Sequence, residues 1–179
     1  MKTLKALLVG VVSALGIAGF VFGVSTANQT VTMQVNAICL VAVTGNPSTL
    51  SVSAPAAGGQ TPVSGSSTAT YAQYTSTVAS GTNRKITAAW GGSDAAPAGC
   101  ALKLTATPSG GTNQGTSAGQ ITMSSTAQDA VTTIGSCVTG TGGSNGAQLS
   151  YSLEVSDATA LVAGESKSAT ITLTLTDAA

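Results

Sequence analysis

From Gln148 the chain runs Gln-Leu-Ser-Tyr-Ser-Leu-Glu-Val, an unbroken two-residue alternation that leaves little freedom of fold. Successive side chains of an extended backbone point to opposite faces. Leu149, Tyr151, Leu153 and Val155 therefore line one face, and Ser150, Ser152 and Glu154 the other. The alternation recurs in Ile171, Leu173 and Leu175 against Thr170, Thr172, Thr174 and Thr176, in Leu102, Leu104 and Ala106, and in Ile86, Ala88 and Trp90. A strand with one apolar face must bury it against a second layer. The reading is all-β: an antiparallel β-sandwich, Ig-like or jelly-roll, of about eight or nine strands.

Turn signals set the boundaries. Strands are expected over Thr30–Thr44, Leu50–Ser53, Ala69–Val78, Arg84–Trp90, Ala101–Thr107, Gln120–Met123, Ala130–Ile134, Gln148–Val155 and Ser168–Thr176. Asp157–Glu165 has room for one helical turn, and Ala54–Ser67, Gly91–Gly99, Pro108–Gly119 and Gly140–Gly146 read as loops.

Ahead of the strands, Lys2 and Lys5 precede an apolar stretch, Leu7–Val24, and then Ser25-Thr26-Ala27. Small residues at the last and third-last positions suit signal peptidase. Residues 1–27 are thus expected to be a secretion signal, 28–36 an N-terminal strand segment and 37–179 the sandwich domain. The mature chain is expected outside the cytoplasm, without a membrane segment. Left uncleaved, Leu7–Val24 is nearly long enough to span a bilayer.

Charged residues make up only 7% of the sequence, against 42% hydrophobic. Behind the signal, Arg84, Lys85, Lys103 and Lys167 face Asp94, Asp129, Glu154, Asp157, Glu165 and Asp177, a net of −2. No basic patch exists to neutralise phosphates, so nucleic acid is not an expected partner. Both phenylalanines, Phe20 and Phe22, lie in the signal, which leaves a core of Val, Leu, Ile and Ala in thin layers.

The chain has no histidine, the commonest general base and metal ligand. Its acids are scattered, and no Gly-x-Ser-x-Gly elbow joins a strand to a helix. Asp94 and Asp157 read as solvated loop acids. No enzyme, catalytic residue, metal site or cofactor is expected. Asn28-Gln29-Thr30 matches the N-glycosylation pattern, which chance supplies readily. Trp90, beside Gly91-Gly92, could serve a sugar-binding platform with Tyr71 or Tyr74, although sandwiches more often bury such rings.

Of three cysteines, Cys39 sits in an apolar run, where a buried free thiol is usual. Cys100 and Cys137 lie at strand–loop junctions, and theirs is the favoured disulfide, worth about 3–4 kcal/mol in the chain-entropy view.

The expected strand Thr30–Thr44 has two halves. Ala37–Val43 is apolar on both faces, as in a strand buried inside a domain. Thr30–Asn36 is one-sided, with Val31, Met33 and Val35 against Thr32, Gln34 and Asn36. Such a segment can pair as an edge strand of its own domain or add to a sheet edge of a neighbouring subunit.

Signal, one-sided N-terminal strand, Thr/Ser/Gly/Ala-rich sandwich and strand-like C-terminus together resemble the secreted β-sandwich subunits of surface fibres that assemble by donor-strand complementation, such as chaperone–usher pilins and biofilm-matrix fibre proteins. Chaperone–usher pilins bridge their first two strands, whereas no cysteine lies between Cys39 and Cys100 here. The resemblance implies a structural subunit of an extracellular filament or pilus that self-associates as a homopolymer, with Val31, Met33 and Val35 at the subunit interface. The alternative is a monomeric secreted or cell-surface binding module, with a surface polysaccharide as its partner.

Overall fold

The computed structural model describes residues 26–178. The chain divides into two units, Met1–Gln34 and Val35–Ala179. Apart from Thr26 and Ala27, the expected secretion signal lies outside the described residues. In the first unit, residues 26–34 carry no regular secondary structure and are exposed.

The second unit is an all-β sandwich. Its strands are β1 (Ile38–Thr44), β2 (Gly65–Thr77), β3 (Arg84–Trp90), β4 (Cys100–Thr107), β5 (Thr116–Ser117), β6 (Gln120–Thr122), β7 (Gln128–Ile134), β8 (Cys137–Val138), β9 (Ala147–Val155) and β10 (Ile171–Asp177), with a 3-10 turn at Ala158–Ala160. One antiparallel sheet runs β1-β2-β9-β4-β6, with β8 also paired to β2. The other runs β10-β3-β7-β5.

Alternation builds the core as the sequence implies. Ala147, Leu149, Tyr151 and Leu153 of β9 are buried, with half-buried polar residues between them. Ala72, Tyr74, Leu104 and Ala106 add to this layer, and Ile86, Ala88, Val131, Ile134 and Leu175 face it from the other sheet. Small alanines on both sides let the sheets approach closely, which suits a chain so poor in rings.

Three expectations need correction. The ladder begins at Ile38, so Thr30–Asn36 is not a strand of this sheet. Nor is β1 buried inside the domain: it is the outermost strand of its sheet, and only Val41 and Thr44 are even half-buried. An apolar run on both faces suits a central strand, but strand order is a property of the whole sheet. Finally, Leu50–Ser53 forms no ladder strand, only the isolated bridge Ser53–Val63.

The favoured disulfide is also absent, and all three thiols are free. Cys100 pairs with Val155 at one end of β9, while Cys137 pairs with Ser76, beyond the other end of β9. The nine residues of β9 alone span about 27 Å, whereas a disulfide needs Cα atoms within about 7 Å. Cys39 is exposed rather than buried, its thiol donating to the Leu175 carbonyl oxygen at 3.2 Å.

Candidate functional site: an open edge and an inter-sheet cleft

Among the described residues, no strand pairs with the outer edge of β1. The Tyr74 N–H donates to Thr139 Oγ1 and the Tyr74 carbonyl accepts from the Thr139 N–H, both at about 3 Å on the β8 side of β2. The opposed pair Val41–Tyr74 is therefore a non-hydrogen-bonded pair of the β1–β2 ladder. By alternation, the backbone N–H and C=O groups of Cys39, Val41 and Val43 point to the free edge. Leu40 and Val43 are 65% and 52% exposed, so the edge is apolar as well as unpaired. The edge strands at the far ends of the two sheets, β5 and β6, have only two and three residues, the usual way a sheet limits unwanted pairing.

Next to this edge, β1 faces β10 across the flank of the sandwich. One end of the flank is fastened. Arg84, itself buried, donates to Asp177 Oδ1 at 2.9 Å and to the carbonyl of Ile38, joining β3, β10 and β1. Toward the other end the two sheets part. Gly45, at φ 78°, turns the chain out of β1, and a Cβ there would strike the Ala69 carbonyl.

Beyond that turn, residues 47–55 form one lip and 161–169 the other lip of a cleft of about 880 Å³. Trp90 and Ile171 wall it from one sheet and Leu102, Tyr151 and Leu153 from the other. Burial pushes the Tyr151 phenol up to about 12, so it remains a proton donor across ordinary pH.

The residues singled out from sequence fall in different places. Val31, Met33 and Val35 are 65%, 86% and 85% exposed, outside any strand. Trp90 is half-buried at the cleft, while Tyr74 is core, its hydroxyl donating to the Gln114 carbonyl at 2.5 Å. Tyr71 lies on the other face of β2, where its hydroxyl accepts from Gln148 Nε2.

Asp94 and Asp157 act as staples. Asp94 Oδ2 accepts from the N–H groups of Gly91 at 3.1 Å and Thr170 at 2.8 Å. Asp157 Oδ1 accepts from the Thr159 N–H and hydroxyl, which hold its carboxyl below the usual range. Burial raises the Cys137 thiol, the opposite of a reactive thiolate.

Sequence reasoning reached Tyr151 as a core residue but missed the cleft. The apolar positions 50, 102, 153 and 171 are legible as strand faces, yet their convergence on one opening has no local signal. Among the described residues no group of His, Cys, Asp and Glu is placed to hold a metal ion, and no helix is long and apolar enough to cross a membrane. No family model, no curated protein and no solved structure matches this chain.

Proposed function

We propose that this protein is a non-catalytic structural subunit of an extracellular filament, polymerising when the N-terminal segment of one copy adds to the free β1 edge of the next. The observation that carries the reading is the exposed triad Val31, Met33 and Val35, spaced two residues apart. In an extended strand all three would share one face. Laid beside β1, they would join the face that carries Cys39, Val41 and Val43. The outward N–H and C=O groups of those three residues would give the added strand its register.

Burying three such side chains is worth roughly 1.5–3 kcal/mol each before ordering costs. A head-to-tail contact of this kind need not close on itself, so it generates an open fibre. The low charge favours such association, since neutral surfaces repel one another little. The engagement of Asp94 and Asp157 by local backbone supports structural rather than catalytic work for both.

Negative-stain microscopy and sedimentation of secreted protein test this. Wild type is expected to form fibres, while deletion of residues 28–36, or Met33→Asp, should give folded subunits that do not polymerise. Fibres of normal length from the deletion variant would remove strand addition as the mechanism. A wild type that stays monomeric at high concentration would favour the secreted binding module instead.

A further inference from the structure

The cleft between the sheets holds a feature that strand addition at β1 does not use. Tyr151 is 6% exposed, yet its hydroxyl makes no hydrogen bond with any of the described residues. Buried tyrosines normally find a partner for this group, and Tyr71 and Tyr74 both do. The sealed, partnerless side-chain atoms are the Thr70 and Ser76 hydroxyls, not that of Tyr151, and Tyr151 lines the cleft. Leu50, Trp90, Leu102, Leu153 and Ile171 line the same cleft.

A cleft with apolar walls, a buried donor among them, and lips that carry the hydroxyls of Ser48, Thr49, Ser51, Ser53, Ser166 and Ser168 has the composition of a small-molecule site. Its volume of about 880 Å³ lies in the range that such sites occupy.

The charges at the cleft set the ligand's character. Among the described residues that line it, Glu165 and Lys167 alone are charged, and they pair with each other at 3.4 Å. The second Glu165 oxygen accepts the Ala98 N–H at 2.9 Å. Neither charge is left to compensate an ionic ligand, and burying one without a partner is costly.

We infer that this cleft binds a neutral ligand with an apolar body and one carbonyl-type oxygen, which accepts the Tyr151 hydroxyl proton as a hydrogen bond. An uncharged acyl ester has this chemistry. The inference is independent of the filament reading, since neither the N-terminal segment nor the β1 edge contributes to the site.

Trp90 is the sole tryptophan and lines the cleft, so its emission reports occupancy directly. Full-length protein is titrated with methyl decanoate, decanoate anion and decane, below their aggregation limits, and with a synthetic peptide of residues 28–37. The expected result is a saturable blue shift with the ester at one equivalent, with the anion at least tenfold weaker, and a higher melting temperature in excess ester.

Tyr151→Phe should weaken the ester roughly five- to tenfold, the worth of one hydrogen bond, and leave decane unaffected. Val162→Lys, on the 161–169 lip, 61% exposed and outside any strand, should weaken ester binding at least tenfold with the melt of the ligand-free protein unchanged. It keeps the test valid if Tyr151→Phe misfolds. No saturable shift with the ester, equal ester affinity in Tyr151→Phe, or an anion bound as tightly as the ester overturns the proposal. A shift with the peptide and none with the ester overturns it too, in favour of an extended chain segment as occupant.

Discussion

Thr70 and Ser76 occupy inward positions of β2, alternating with Ala72 and Tyr74, and their hydroxyls are buried without a hydrogen-bond partner among the described residues. A buried hydroxyl that gives up water for nothing costs about 1–3 kcal/mol. Valine has the shape of threonine and an equal liking for strands. Thr70→Val should therefore stabilise the protein by about 1 kcal/mol, raising the melting temperature by roughly 2–4 °C for a chain of this size. A higher urea midpoint with an unchanged slope is the expected readout; a lower midpoint would mean that the hydroxyl has a partner. The inward position of Thr70 follows from alternation with Ala72 and Tyr74, but its lack of a partner does not, since partners come from distant strands.

At the scale of an element, β1 shows how one strand can have two unlike edges. The groups of Ile38, Leu40, Ala42 and Thr44 face β2, and those of Cys39, Val41 and Val43 face outward. Proline removes an N–H, so its effect should depend on which edge it strikes. Val43→Pro, at an outward-facing position whose side chain is 52% exposed, should leave the sandwich folded with little loss of stability while abolishing polymerisation. Leu40→Pro should break the ladder opposite Thr75 and cost on the order of 1–3 kcal/mol. Circular dichroism melts with microscopy on both variants separate the cases, and equal destabilisation by the two would show that the assigned edges are wrong. The alternation that places β3 at Arg84–Trp90 and β9 at Ala147–Val155 is plain in sequence. The two-residue strands β5 and β8 are not, because so short a pairing owes its existence to its neighbours, Thr132 and Val131 for one and Thr75 and Ser76 for the other.

For the whole molecule, the lack of histidine removes the side chain that ordinarily titrates near neutrality. Stability should be flat between about pH 5 and 8 and should fall on both sides. On the acid side, Asp157 is held low by the Thr159 hydroxyl and N–H, and Glu165 by the Ala98 N–H and then by Lys167. Lowered carboxyls contribute stability above their unfolded range, and that contribution is lost as pH falls through the folded values. Asp157 is exposed and Glu165 is only half-buried at the surface, so this limb is shallow. On the alkaline side, burial raises Tyr151 to about 12, and burial followed by the neighbouring Cys137 raises Tyr74 further. Raised phenols contribute stability that is complete below about pH 10 and lost as pH rises through the folded values, on the order of 2–3 kcal/mol for Tyr151. Urea midpoints across pH check this: Tyr151→Phe should flatten the alkaline limb, and an unchanged limb would reject the assignment.

Sequence alone determined the class of fold, most of the strands and the inward faces of the central ones, because the period-two pattern acts within a single strand and needs no partner to be read. It also marked Val31, Met33 and Val35 as a one-sided apolar triad. The tertiary structure decided what depends on distant segments meeting. It placed β1 at an edge although its apolar run resembles a central strand, and it set Cys100 and Cys137 beyond bonding distance although each sits at a strand end. It also parted the sheets at Trp90, Tyr151 and Ile171 to leave a cleft. Strand order, through-space separation and imperfect closure of two layers are set by the sum of all pairings, and no local stretch of sequence carries that sum.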